Sequence, residues 1–464
     1  MTEQSFDVIV IGAGPVGENA ADRTARAGLS TALVEHQRFG GECSYWACVP
    51  SKALLRPGNV LAAAKRVPGV PVGESLDAAA VFKRRDYFTD KGDDSGQVAW
   101  VRGAGIEAVR GQARITGERE ITVDGERVLR ARHAVVVCTG SVPRTPEIPG
   151  LADVPTWTSR DATSASEVPA RLAVLGGGVV GVEMAQAWAT FGAEVHLIVT
   201  GPRPLPRYPD FAGDAVAGGL SAAGVELHLG SGLVSASEVD GSARLVLRGG
   251  EAVTVDRLLV ATGRGPATAE LGLETIGLAA GGPLTVDDTG RVSEVEGGWL
   301  YAAGDVTGRA LLTHQGKYAA RVVGDVIAAR AAGRAVEPYA WSRYASTADH
   351  HAVPQVVFTD PEVASVGLTG PVAGAPHRVV DIDIAVSGAQ LHADGYRGKA
   401  RMIVDTQREV LVGVTFVGQD VAELLHSATI AIAGEVPLTR LWHAVPAFPT
   451  ISEVWLRLLE AYGF

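Results

Sequence analysis

Cysteine is scarce in this chain, with three among 464 residues. A disulfide-stapled secreted scaffold needs more of them, and normally an even number. Long apolar runs are missing too: nothing approaches the ~20 residues a helix needs to cross a bilayer, so no membrane partner is expected. Positive charge is in deficit. The 41 Lys and Arg against 52 Asp and Glu give a net charge of −11, and no long basic run occurs. Nucleic acid is therefore not an expected partner either, because affinity for it comes from clustered Lys and Arg. The first apolar strand begins within about five residues of Met1, too soon for a signal peptide. A cytoplasmic protein is expected. What the chain does have is length enough for roughly two to four domains and a 47% hydrophobic composition that can fill their cores.

Two glycine loops organise the chain. An apolar strand over 6–11 runs into Gly12-Ala13-Gly14-Pro15-Val16-Gly17 and a helical stretch through Ala27, and a second strand ends at Glu35. A strand over 172–175 runs into Gly176-Gly177-Gly178-Val179-Val180-Gly181, a helix through Phe191 and a strand over 195–199. In each loop the first glycine makes a tight turn, the second lets backbone approach a pyrophosphate, and the third lets helix pack on strand. The helix N-terminus faces the phosphates. One such loop is a weak signal. Two in strand–turn–helix–strand context predict two nucleotide sites. Matching strand-end turns follow at Thr139-Gly140, Thr262-Gly263 and Gly304-Asp305. Beyond about Tyr339 the dinucleotide patterns stop, and alternating strands with two later helices take over.

Just after the first unit stands Gly40-Gly41-Glu42-Cys43-Ser44-Tyr45-Trp46-Ala47-Cys48-Val49-Pro50-Ser51-Lys52. A Cys-x4-Cys pair alone says little. Placed after Gly-Gly, before Pro-Ser-Lys and downstream of a phosphate-cradling loop, it resembles the redox-active disulfide of the flavoprotein pyridine nucleotide-disulfide oxidoreductases, which include dihydrolipoamide dehydrogenase, glutathione reductase and mercuric reductase. The resemblance extends over almost the whole chain. It implies an α/β protein with two Rossmann-like domains and a C-terminal α+β dimerisation domain. FAD-binding segments are expected at 1–148 and 269–338, a nicotinamide-binding domain at 149–268, and an interface domain at 340–464 that makes a homodimer and completes the partner's active site.

The resemblance also assigns roles. FAD is expected at Gly12, Gly14, Gly17, Gly41, Thr139, Gly140 and Gly304, with Glu35 accepting ribose hydroxyls and Asp305 on the ribityl chain. The nicotinamide cofactor is expected at Gly176, Gly178, Gly181 and Gly263. Cys48 would be the charge-transfer thiol beside the flavin and Cys43 the exchange thiol facing the acceptor. Lys52 and Glu183 would pair beside the flavin. Cys138, on an apolar strand, reads as a core residue. No metal site is expected. Tyr45 and Trp46 fit either core packing or an aromatic lining for a flat acceptor. Glu42, if buried beside Cys43, would raise a thiol pKa.

Cofactor choice follows from an offset. Glu35 lies 23 residues after Gly12, and the same step from Gly176 lands on Val199. An acid there would favour NADH. Its absence, with Arg203 and Arg207 just beyond, tilts the reading toward NADPH, unless both arginines are merely solvated loop charges.

The departure comes at the end. Disulfide-reducing members close with a His-Pro-Thr-x-x-Glu-like run whose histidine protonates the leaving thiolate and whose glutamate orients it. Here the run is Phe448-Pro449-Thr450-Ile451-Ser452-Glu453. Phenylalanine does no acid–base work, and such a group is typically worth ~10²–10⁴-fold in rate. Glu453 either keeps a catalytic place or belongs to a Thr450–Glu453 helix capping box, and His443 either swings in or flanks a helix. The expected activity is FAD-dependent NAD(P)H oxidation with a small-molecule acceptor that is not a conventional disulfide, quinone-like for instance. The alternatives are true disulfide reduction, as by a dihydrolipoamide dehydrogenase, and a redox-sensing flavoprotein with little turnover. Mercuric reduction would need a further cysteine pair, which the chain lacks.

Overall fold

The structure is a computed structural model that describes residues 2–73 and 75–464. Its contacts divide the chain into two units, each assembled from three stretches of sequence.

The first unit takes residues 1–49, 86–144 and 264–350. Its sheet runs Glu107–Arg110, Thr31–Glu35, Thr2–Ile11 and Arg127–Val137 as parallel neighbours, with Leu300–Ala302 also parallel to the last of these. The antiparallel strands Glu120–Val123 and Ala113–Gly117 extend the sheet. Val8, Ile9 and Val10 are all fully buried, as expected for a parallel strand covered on both faces. Ile9, Val34 and Val135 point into one apolar cluster with Trp299. Val8, Val10 and Val136 point into the other, filled by Ala20, Ala21, Ala320, Val323 and Ile327 from the helices Pro15–Arg26 and Thr313–Ala331. The helix Pro15–Arg26 starts where the sequence predicts: Gly14 caps it, Pro15 opens it, Glu18 lies in its first turn and Arg23 and Arg26 in its last, which suits the helix dipole.

The second unit takes residues 50–85, 145–263 and 351–464. A five-stranded parallel sheet runs Glu226–Leu229, Glu194–Val199, Arg171–Leu175, Arg257–Val260 and Thr156–Trp157, beside a three-stranded antiparallel sheet over 233–255. The helix Val179–Thr190 is apolar nearly all round, which marks a core helix. Its Trp188 is fully buried against Phe82, Trp157 and Phe191. The C-terminal part is an antiparallel five-stranded sheet, Pro354–Val357, Glu362–Gly367, Val410–Gly418, Lys399–Asp405 and His377–Asp383, with the helices Leu425–Ala433 and Val454–Tyr462. The expected α/β class with two Rossmann-like sheets and a terminal α+β domain is what the chain forms. Among the described residues no helix is long and apolar enough to cross a membrane.

One contact positions the cysteines. Gly41 has φ +59, and a Cβ built on it would lie 2.6 Å from Gly14 Cα. Gly40, at φ +100, donates its N–H to Ala13 O at 2.7 Å. Gly41→Ala should therefore cost about 1–3 kcal/mol through overpacking against backbone and lower the urea midpoint. An unchanged midpoint would show that the contact is slack.

Candidate active site

In the first unit the glycine loop has the form that dinucleotide chemistry needs. Gly12 has φ +98, and a Cβ there would meet Cys138 O at 2.5 Å; a Cβ on Gly17 would meet Gly12 O at 1.8 Å. The second glycine differs: the space over Gly14 holds nothing nearer than Gly41 Cα at 4.0 Å, and over Gly140 nothing within 4 Å. Thr139 Oγ1 is buried with no hydrogen-bond partner among the described residues. A buried hydroxyl left unpaired is costly, and a bound phosphate or ribose oxygen would satisfy it. Glu35 lies at the far edge, where its carboxylate accepts N–H bonds from Ala13 at 2.9 Å and Gln37 at 2.7 Å. Burial pushes its pKa up, but His36 and these two N–H groups more than offset that and hold it below the usual carboxylate value. The residues therefore fit FAD, with open lone pairs on Glu35 for hydroxyls. Gly304, at φ +81, turns the chain into Asp305.

The dithiol follows. Cys43 sits on the one-turn helix Gly41–Tyr45, and Cys48 opens the helix Cys48–Lys65. Both are thiols in hydrogen-bonding reach of each other. The Thr313 hydroxyl lies 3.2 Å from each sulfur. The neighbouring Cys48 sulfur and burial drive the Cys43 pKa well above the ordinary thiol value, and Thr313 works against them. Glu42 would raise the thiol only if its charge lay buried beside Cys43. Instead its carboxylate pairs with Arg264, and the upward shift has the two causes just given. Arg264 also donates to Ser141 Oγ at 2.8 Å and Ser141 O at 2.6 Å, and Ser141 Oγ donates to Asp305 at 2.6 Å. Burial raises the Asp305 pKa, with Ser141 and Arg264 opposing. Tyr45 is buried, Trp46 packs edge-on against it, and Arg38 lies 4.8 Å over the Trp46 ring. Cys138 is buried in the core, which pushes its pKa up to about 12.

In the second unit the second glycine loop repeats the first. Gly176 has φ +120 with Ala261 O 2.5 Å from its built Cβ, Gly181 would strike Gly176 O at 1.9 Å, and Gly178 and Gly263 have nothing within 4 Å. A second dinucleotide fits there on the same grounds. Val199 closes its strand and is buried. Arg203 is held by Asp210 and Asp214, each at 2.9 Å, so the structure ties up one of the two arginines considered for a 2′-phosphate. Lys52, one turn past Cys48 on the same helix, donates to Glu183 Oε2 at 2.8 Å. Glu183 is buried, and its other oxygen accepts the Phe358 N–H at 3.0 Å. Lys52 also stands 4.9 Å over the Phe358 ring. Gln186 bonds Asn59 at 3.0 Å and the Asp360 N–H at 2.7 Å. A buried carboxylate with a cation and an N–H donor is compensated; without them it would be costly.

The terminal run lies in this unit. Phe448 is 75% exposed, and His443 is exposed. Glu453 is buried and accepts the Gly388 N–H at 3.4 Å. The Thr450 hydroxyl donates to Ala447 O at 2.6 Å and makes no helix-capping bond, so the capping-box alternative is not formed.

Sequence reasoning missed Thr313, Ser141, Arg264 and Gln186. Thr313 had one local signal, its place at the start of a long helix shortly after the Gly304-Asp305 turn. The others act through contacts between distant stretches.

The pyridine nucleotide-disulphide oxidoreductase family model matches residues 6–333, and the dimerisation domain of the same family matches 353–458. The chain belongs to this family and is an FAD-dependent oxidoreductase that uses a pyridine nucleotide. It is 35% identical to the dihydrolipoyl dehydrogenase of Chlorobaculum tepidum, over 97% of this chain and 95% of that protein. It is 33% identical to that of Haloferax volcanii, over 98% and 95%. Among solved structures it resembles the HOCl-induced flavoprotein disulfide reductase RclA from Escherichia coli, with TM-score 0.83 and 26% identity over 98% of this chain and 99% of that one.

Two measurements check this geometry. Thr313→Val removes the hydroxyl that lowers the Cys43 pKa, so the iodoacetamide pH profile of the reduced enzyme should move to higher pH; an unmoved profile would make the contact incidental. Burial raises Glu18, on the first glycine-loop helix, to about 7. Its charged form is disfavoured in the fold, so this contribution to stability is intact below the ordinary value of 4.5 and lost as pH rises through about 7. Glu18→Gln should accordingly be more stable than wild type at pH 8 and no more stable at pH 4, by thermal unfolding. The same difference at both pH values would contradict it.

Proposed function

We propose that the protein carries electrons from NADPH through FAD to the Cys43–Cys48 pair or directly to a quinone-like acceptor, working as a homodimer, and that a small disulfide is not its main substrate. The observation that carries this reading is Phe448. Phe448, 75% exposed, stands at the position of the terminal run where the family resemblance expects the histidine that protonates a leaving thiolate. A quinone accepts electrons without a protein acid beside a leaving thiolate. Glu453, occupied with the Gly388 N–H, has no imidazole in this run to orient.

When bound, FAD supplies the two-electron relay between nicotinamide and acceptor. The chain's own residues do the rest. Gly14, Gly41, Thr139, Glu35 and Asp305 hold and orient that group, and Gly176, Gly178 and Gly181 hold the nicotinamide cofactor. In its oxidised state the Cys43–Cys48 disulfide takes up two electrons; the S–S bond breaks, and one sulfur takes a proton while the other stays thiolate. The high Cys43 pKa makes Cys43 the sulfur that keeps the proton, and the Thr313 hydroxyl lies 3.2 Å from the Cys48 sulfur. Lys52, ion-paired with Glu183 at 2.8 Å, is the cation that the family resemblance assigns to stabilising the reduced flavin. NADPH is preferred because no carboxylate stands at Val199 to repel a 2′-phosphate; the pairing of Arg203 with two aspartates weakens its part in that preference. The exposed Trp442, Val445 and Phe448, within the stretch matching the dimerisation domain, supply an apolar surface of the kind that self-association covers.

Disulfide reduction is the second reading, favoured by 35% identity to a dihydrolipoyl dehydrogenase. One assay separates the readings: turnover of the purified holoenzyme with NADPH and NADH, each against lipoamide, glutathione disulfide and a benzoquinone. The proposal expects the highest kcat/KM for the pair NADPH and benzoquinone. Fast lipoamide turnover or a clear NADH preference contradicts it, and negligible turnover with every acceptor points to a redox sensor. Phe448→His is expected to raise lipoamide turnover by about 10²-fold and leave quinone turnover nearly unchanged.

A further inference from the structure

We propose that His196, His228 and Glu226 form a binding site for one divalent transition-metal ion, of the Zn(II) or Cu(II) class, on the edge of the parallel sheet of the second unit. Glu194–Val199 and the edge strand Glu226–Leu229 are parallel neighbours, with His196 opposite Glu226 and His228 two residues further along. The two imidazoles are buried, at 5% and 8% exposure, whereas the Glu226 side chain is 59% exposed, so an ion has a route in from solvent.

The donor atoms have the spacing of a coordination shell. His196 Nδ1 lies 3.2 Å from His228 Nε2 and 3.4 Å from Glu226 Oε2. His228 Nε2 lies 3.7 Å from Glu226 Oε1. Donors each about 2.0–2.1 Å from a tetrahedral ion stand about 3.3–3.4 Å from one another. The far side of each ring is also provided for. His196 Nε2 faces Glu194 Oε1 at 3.3 Å, and His228 Nδ1 faces Glu251 Oε2 at 3.6 Å. A metal-ligating histidine almost always hands its other N–H to a carboxylate or carbonyl, which fixes its tautomer. Here both histidines present one nitrogen to the shared carboxylate and the other to a carboxylate of their own. Without an ion the two facing nitrogens must share a proton as donor and acceptor. With one, both lone pairs are used and the carboxylate charge is matched. An N,N,O donor set suits Zn(II) and Cu(II), with Cu(II) the tighter. The ion would clip the edge strand to its neighbour. No local spacing in the sequence announces the site, because its ligands come from two strands about thirty residues apart.

The test uses the oxidised holoenzyme, so that Cys43 and Cys48 are joined and offer no thiolate. ZnCl2 is titrated into wild type, His228→Asn and Glu226→Gln by calorimetry, and Cu(II) bound to each is read by electron paramagnetic resonance. The proposal expects one Zn(II) per chain, a rise in thermal midpoint with added Zn(II), nitrogen hyperfine coupling on Cu(II), and at least about tenfold weaker binding in each variant. The exposed Glu226→Gln substitution keeps the test valid if His228→Asn folds poorly. No 1:1 binding by wild type, or affinity unchanged in either variant, would leave a hydrogen-bonded histidine pair and overturn the site.

Discussion

Where the Gly41 backbone meets Gly14 there is no room for a side chain on Gly41, and the arrangement of the first unit's candidate site depends on that approach. Gly14 is the open glycine of the phosphate loop, and Gly41 begins the turn of helix that carries Cys43. A Cβ on Gly41 would sit 2.6 Å from the Gly14 Cα, so the two elements come this close only with glycine at 41. The Gly40–Ala13 hydrogen bond locks the approach. The cysteine pair is thereby held against the loop whose form fits a dinucleotide, which gives the Gly-Gly before the first cysteine a steric reason.

Around that contact the charges are balanced by residues from elsewhere in the chain. Arg264 neutralises Glu42 and, through Ser141, steadies Asp305. Thr313 brings one hydroxyl to both sulfurs. Lys52 and Glu183 form the corresponding compensated pair in the second unit, where the Phe358 N–H takes the second carboxylate oxygen. Each device lets a group that must carry or meet charge sit in a partly buried place without an unpaired ion.

How much of this was legible follows from the range of each interaction. The two glycine loops were readable because turn, close approach and helix start fall within six residues, and the folded chain gives both loops the same contacts. The Cys43–Cys48 motif was readable for the same reason. Lys52 and Glu183 could be joined only through the family resemblance, since nothing local links residues 131 positions apart. Thr313 was invisible because its meaning lies in sulfurs some 270 positions away. The Glu42 reading was conditional on burial beside Cys43, and the distant Arg264 with which Glu42 pairs was equally out of local reach. The Thr450–Glu453 capping box was a local pattern that tertiary structure overrode, with the glutamate taken by Gly388.

The end of the chain gives the protein its individuality within the family. An exposed phenylalanine stands at the position of the terminal run where disulfide-reducing members keep a histidine, while the two glycine loops and the paired cysteines are present. The central claim is that Cys43 and Cys48 cycle between disulfide and dithiol even so. Its most direct test is an anaerobic count of reactive thiols in the denatured holoenzyme before and after one addition of excess NADPH, in wild type and in Cys43→Ser. The account predicts two additional thiols per chain in wild type and none in the variant. An unchanged count in wild type would contradict it.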